Sequence, residues 1–246
     1  MRLIPFLFFS LFFLFSCNKS ENRSCFKTTG EIITIQRNLL GFSCVRLYQN
    51  INYEIVPDTI NYLELTGGKN VLNFISSTIS EKVLTIKDNN TCAFLRDLSI
   101  KVTVKIHTKD LINIYYEGSE SLICRDTLKM NYFLYVQQSG GGTANLLIEA
   151  KYLEAYVNSG VGDFKLAGKC NVLTVGLNGS SFCDVRGLEV TDSITFIQNS
   201  FGDMKIKADV IPLRGVITST GNVWCQGLPS FTKVNELYTG KLKYLP

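Results

Sequence analysis

Eight cysteines, one histidine and a few recurring aspartates are the residues of this 246-residue chain whose types could do chemistry. A metal centre needs several sulfur or nitrogen ligands at short spacing, and the sequence contains no CxxC pair and only His107 as an imidazole. His107 lies in KVTVKIHT, where alternation with Ile106 puts it on the solvent side of a strand. One histidine also leaves a serine or cysteine nucleophile little to use as a base. Gly140 to Gly142 form a triple glycine, but no GKS or GKT follows and no helix opens after it, so these are turn glycines rather than a phosphate cradle. Asp163 and Asp203 fall at equivalent places, with Asp184 two places later. Paired carboxylates can cleave glycosides and aligned ones can hold calcium, yet these are too sparse for a calcium site, and nothing distinguishes them from solvated turn charges. The sequence therefore predicts no catalytic residue, no metal and no cofactor.

The elements that carry these residues are repeats. NSGVGDFKL (158–166) has relatives in QSGGGTANL from Gln138, LNGSSFCDV from Leu177, QNSFGDMKI from Gln198 and TSTGNVWCQ from Thr218, with a fainter copy from Glu117. A period near 20 residues marks stacked, quasi-one-dimensional architectures. Each unit reads as a Gly/Ser/Asn turn, a short alternating strand, a polar break and a second apolar run. Gly140, Gly160, Gly162, Gly179, Gly202 and Gly221 are expected to supply positive φ at the corners. Asn158, Asn178 and Asn199 overlay to within one position; they are either a stacked amide ladder or ordinary turn asparagines. Phe164, Leu166, Val175, Phe182, Phe196, Met204 and Trp224 are candidates for the interior.

The expected fold is all-β: a right-handed parallel β-solenoid of about 20-residue turns, with a β-rich N-terminal lobe continuous with it. The expected organisation is a signal peptide over 1–16, lipid attachment and tether over 17–30, the N-terminal lobe over 31–131 and the repeats with a C-terminal cap over 132–246. Within the lobe, only residues 70–80 hint at helix.

Arg2 followed by the apolar run Leu3 to Phe15 is too short to span a bilayer, which needs about 20 residues, and reads as a secretion signal. Its end, LFSC, resembles a bacterial lipobox, although Phe15 is bulkier than usual there. Cys17 is then the lipidated N-terminus, which anchors the protein to the outer membrane with a periplasmic or surface-exposed fold. Net charge is +4 with Lys and Arg scattered, so no nucleic-acid partner is expected; the partners are the membrane, through lipid, and a glycan or protein ligand.

In its order of motifs the chain resembles the family known as putative auto-transporter adhesin, head GIN domain. The resemblance covers about Glu31 to Leu228 and rests on FSCVRLYQNINYEIV, NNTCAFLRDLSIKVTV, the NSGVGDF and NGSSFCDV turns, and the closing GNVWCQGLP with Gly221, Trp224, Gly227 and Pro229. Ser200, Phe201 and Thr220 stand where the family's repeats carry glycine. The resemblance implies a β-helical or double-solenoid lipoprotein with no established catalytic residues and an adhesin-like role in surface or envelope binding. A carbohydrate-active β-helix enzyme and a purely structural envelope component are the alternatives.

Eight cysteines less Cys17 leaves seven, so at least one thiol is unpaired. Cys25 and Cys92 sit in polar loop contexts and are the favoured disulfide pair, although sequence does not fix connectivity; Cys44, Cys124, Cys170, Cys183 and Cys225 lie within apolar strand patterns and are expected to stay reduced. Non-reducing peptide mapping should recover Cys25 joined to Cys92, and a peptide joining either to a repeat cysteine would overturn the pairing.

Overall fold

The computed structural model describes residues 28–90 and 100–245, so Cys17 and the Cys25–Cys92 pairing lie outside the described residues. In chain order the elements are β1 (Ile32–Asn38), β2 (Cys44–Gln49), β3 (Ile51–Pro57), β4 (Tyr62–Gly68), α1 (Lys69–Leu72), β5 (Ile75–Ser80), β6 (Val83–Asp88), β7 (Val102–Thr108), β8 (Asn113–Gly118), β9 (Ser121–Gln137), β10 (Thr143–Val157), β11 (Asp163–Gly179), β12 (Cys183–Ser200), β13 (Met204–Lys207), β14 (Pro212–Ile217), β15 (Val223–Gln226), β16 (Phe231–Glu236) and β17 (Leu242–Leu245). They wind the expected all-β solenoid of about seven turns, with parallel partners about 20 residues apart. Of the residues 70–80 that hinted at helix, only a single turn forms, and the β-branched Ile75–Ser80 segment is the strand β5.

The longest strands explain how the coil closes. In β10, Ala150 is buried, Lys151 and Tyr152 are both exposed, and Leu153 is buried again. This one-residue slip in the period-two pattern rolls the chain over so that its apolar side still faces inward. Two walls result. The first stacks β7, β3, the start of β9, residues 143–150, 163–170 and 183–190, then β13, β15 and β17; the second stacks β6, β2, β8, residues 134–137, 152–157, 172–179 and 193–198, then β14 and β16. Between them lies one continuous core.

The N-terminal part is parallel as well, but out of sequence order. β2 pairs with both β6 and β8, and β3 with both β7 and β9, so the first-made turn is sandwiched between two later ones. β1, β4 and β5 then add antiparallel strands at that end. They finish the stack with strands that differ from the repeat. β9 carries the chain without a break into the repeats.

The corners nest at backbone contact. Gly140, Gly160 and Gly179 have φ of 95°, 102° and 75°, as expected. Gly162, Gly202 and Gly221 do not have positive φ, and the expectation is corrected there: they are required by space, because a Cβ would collide with the Gln137 amide, the Ser181 carbonyl and the Gly202 carbonyl respectively. Buried glutamines complete the same corners, with Gln137 Nε2 donating to Gly142 O and Gln198 Nε2 to Gly202 O.

Phe164, Leu166, Val175, Phe196 and Met204 are interior as expected, but Phe182 and Trp224 are not. Phe182 is 51% exposed, because strand β12 begins with Cys183 as its inward residue and leaves Phe182 on the corner. Trp224 pairs in register with Lys205 and Lys243 on the outer side of the first wall, and Lys243 Nζ lies 4.9 Å from its ring centroid.

Replacing Gly160 by valine tests the corner directly. A β-branched residue at φ 102° would strain the backbone, and its Cβ would sit 2.7 Å from Gly140 O. The expected loss is at least about 1–3 kcal/mol, read as a lowered melting temperature; an unchanged melting temperature would remove the corner assignment.

Candidate functional site

The residues first suspected of chemistry are occupied by structure. Asp163 Oδ1 accepts from Phe182 N at 2.9 Å, and Asp203 Oδ1 accepts from Asn222 N at 2.8 Å while its Oδ2 takes Trp224 Nε1 at 2.9 Å. The expectation of solvated turn charges is therefore corrected: each carboxylate ties its turn to the backbone of the next, a charge-assisted bond to an N–H that parallel stacking would otherwise leave open. Asp184 instead pairs with Arg186 at 2.6 Å, and the guanidinium's hydrogen bonds hold its carboxyl below the usual range. Of the asparagines, Asn158 donates to Gln138 Oε1 and Asn199 to Asn178 Oδ1, but Asn178 turns to Val157 O. The amide ladder exists with one break.

His107 lies on the outward parity of β7 yet is only 8% exposed, which corrects its solvent-facing assignment. Its cross-strand neighbour Tyr62 stacks on the ring with centroids 3.9 Å apart, and Asp58 Oδ2 lies 3.0 Å from Nδ1. The antiparallel strand β4, which no repeat announces, provides that cover.

Cys124, Cys170, Cys183 and Cys225 are buried and unpaired, and Cys44 is half-buried and unpaired. Burial pushes the Cys124 and Cys170 thiols up to about 12. They are small hydrophobes rather than thiolates, and thiolate is the form that attacks or binds metal. Among the described residues no group of three His, Cys, Asp or Glu side chains could hold a metal ion.

What distinguishes one part of the surface is the contrast between the two outer walls. On the first wall, Glu64, Lys105 and Glu54 run in register, as do Lys165, Asp184 and Lys205 farther along, with Lys105 and Arg125 paired to Glu54. On the second wall two rows are aromatic and aliphatic, with a polar row of Glu154, Thr174, Thr195, Arg214 and Lys233 between them. Tyr132, Tyr152 and Val172 form one row; Tyr115, Val136, Tyr156, Gly176, Ile197 and Val216 form another. Tyr132 and Tyr152 are 37% and 45% exposed, and Ile197 is 45% exposed. Glu154 sits between the rows and accepts from Tyr132 Oη at 3.2 Å and from Tyr156 Oη at 2.9 Å. Burial and this carboxylate push the Tyr156 phenol up to about 12, so it remains a neutral donor. Tyr156 also lies over Gly176, where a Cβ would be 2.6 Å from its ring, so the lack of a side chain there keeps the wall flat. Sequence reasoning missed this platform, although Tyr132 and Tyr152 stand one repeat apart on outward positions. Phenols in strands read as β-formers rather than as a binding surface.

Residues 41–229 match the family described as "Putative auto-transporter adhesin, head GIN domain", and the chain belongs to this family. A "putative adhesin" from Bacteroides fragilis NCTC 9343 has the same fold, with a TM-score of 0.80 at 17% identity over 89% of this chain and 100% of that one. A "putative adhesin" from Parabacteroides merdae ATCC 43184 gives 0.62 at 17% identity over 88% and 97%. A "putative lipid binding protein" from Parabacteroides distasonis ATCC 8503 gives 0.61 at 14% identity over 89% and 100%. At these identities the likeness establishes the solenoid fold alone. No curated protein matches the chain.

The His107 cluster makes a pH-dependent prediction. The bond to His107, helped by Thr59 N, holds the Asp58 carboxyl below the ordinary aspartate range. A carboxyl lower in the folded state stabilises the fold above its unfolded value of about 3.9, and that contribution is lost as pH falls through the lowered folded value. Asp58→Asn should therefore be less stable than the parent at neutral pH, with the gap closing as pH falls below the ordinary aspartate range. A gap that stays constant in denaturant titrations across that range would contradict it.

Proposed function

We propose that this protein is a non-enzymatic, lipid-anchored envelope module that binds an extended ligand on its tyrosine-bearing second wall. The observation that carries the reading is the chemical contrast between the walls of one solenoid. Ionic pairs cover the first, while the second exposes Tyr132, Tyr152 and Ile197 and carries the half-buried Tyr115 and Tyr156 beside them. Exposed rings in a contiguous patch are what binding surfaces use, because they offer apolar area with one polar handle each and lose little entropy on contact. Membership of an adhesin family supports the same reading. Asp163 and Asp203, the acids that a glycosidase reading would recruit, are engaged by the next turn of the coil. Anchoring is assigned to a diacylglyceryl group on Cys17, supported by the short apolar run that ends in LFSC. One structural neighbour is named for lipid binding, so vesicles belong among the ligands screened.

A panel of glycans, matrix proteins and vesicles, run beside a polysaccharide-degradation assay, tests the function. The parent should bind without degrading, and the double variant Tyr132→Ala/Tyr152→Ala should lose about tenfold or more in affinity at unchanged melting temperature. Degradation of a polysaccharide, or binding indifferent to both tyrosines, would overturn the reading. Mass spectrometry of the membrane-extracted protein should find an N-terminal diacylglyceryl Cys17; an intact Met1, or an unmodified start beyond Cys17, would rule out the anchor.

A further inference from the structure

We infer that the corner beside Tyr152 is a site for an acidic saccharide, with Lys151 as the group that receives its anionic substituent. This inference rests on the adhesive reading of the second wall and names the ligand class for it. Where the first wall turns into the second, a groove of about 570 Å³ runs across four turns of the coil, from Lys129 to Thr191. Its floor includes Ala150 and Cys170, and its rims carry Lys129, Glu149 and Lys169 on one side and Lys151 with Asn131 and Asn171 on the other.

Most charges of this groove are paired, and its farther end carries Asp192, which accepts from Asn171 Nδ2 at 3.4 Å and from Thr191 Oγ1 at 2.8 Å. Lys129 is neutralised by Glu149 at 2.9 Å, and Lys169 by Glu189 at 3.0 Å. Among the described residues Lys151 has no ion-pair partner; its ammonium lies 5.4 Å from the centroid of the Tyr152 ring. The Lys151 ammonium therefore sits where the groove meets the exposed rings of Tyr152 and, one turn away, Tyr132, at the end away from Asp192. An anionic saccharide suits both halves. The C–H face of its ring packs on a tyrosine, its hydroxyls meet the amides of Asn131 and Asn171, and its anionic group takes the free donors of Lys151. A neutral saccharide would leave the cation unanswered, and an acidic peptide would make no use of flat rings in register.

A carboxylate on a uronic acid and a sulfate ester supply the same chemistry, so the experiment carries both. Titration calorimetry of the full mature chain with an oligogalacturonate, its methyl ester and a sulfated oligosaccharide of equal length separates them. The acidic ligand should bind about tenfold more tightly than the ester, and the difference should shrink at high salt. Lys151→Ala should remove that preference, Lys151→Arg should keep it, and neither should change the melting temperature. If sulfated but not uronate sugar binds with this dependence, the anion is sulfate and the assignment stands. If acid and ester bind equally, or if acid binding ignores Lys151→Ala, the assignment falls, while Tyr152→Ala still reports independently on the tyrosine wall. Binding by none of these saccharides overturns the saccharide site, and the wider panel then decides whether the wall binds anything.

Discussion

Backbone contact between successive corners is the constraint on which the molecule depends. The Gly118 carbonyl accepts from Gly142 N, Gly140 O from Val161 N, Gly160 O from Ser180 N and Gly179 O from Phe201 N, each carrying one turn onto the next. A Cβ on Gly140, Gly160 or Gly179 would point at the preceding carbonyl in that series. Where Ser200 interrupts the glycines, its hydroxyl adds to that backbone link, with Oγ 2.7 Å from Ser181 O and 3.1 Å from Gly179 O. Fixing the corner fixes the register, because a one-residue slip in a period-two strand would put every core side chain into water. Rows on the outer walls are thus a consequence of corners that carry no functional group.

The period, the parity and the corner glycines explain what the sequence made readable and where reading stopped. Phe164, Leu166 and Phe196 could be placed inside because turn and strand recur together. Phe182 failed because motif overlay sets residues by resemblance, whereas the fold sets them by hydrogen-bonded register, and LNGSSFCDV is one residue shorter before the strand than the copy that precedes it. The order of the first turns was hidden for another reason. β2 and β3 are covered on both edges by strands that come later, so no local periodicity signals their place. His107 was misplaced by the same ignorance, since its cover comes from an antiparallel partner 45 residues earlier, Tyr62.

Asparagine and aspartate show how one residue type can be read correctly and still misassigned. They are common in turns because they satisfy nearby backbone groups, and here they do so across turns rather than within them. Asp163 and Asp203 reach the next turn's N–H groups, and Thr218 Oγ1 continues the side-chain contacts by meeting Asn199 Oδ1 at 3.0 Å. In a solenoid the nearest backbone is often about 20 residues away, so local turn chemistry becomes long-range stitching. Acids spent on stitching are not free for catalysis, and the same geometry that aligns them also occupies them.

Tyrosine is divided between inside and outside by parity alone, and the division accounts for where binding can reside. Tyr53, Tyr116 and Tyr135 point inward, fully buried, and close their hydroxyls on Tyr48 O, Glu120 O and Gln137 Oε1. Burying a phenol without such a partner would cost more than a typical hydrogen bond returns, so each interior ring is committed on all sides. Tyr132 and Tyr156 point outward and anchor their hydroxyls to Glu154, which fixes their orientation while leaving ring surface on the wall. The interior of a narrow coil has no room for a ligand once its rings interlock, as the edge-on pairs Tyr53–Tyr116 and Tyr135–Phe164 do. Room for a ligand is therefore left on the outer rows, and on the second wall the hydroxyl bonds to Glu154 hold Tyr132 and Tyr156 in place.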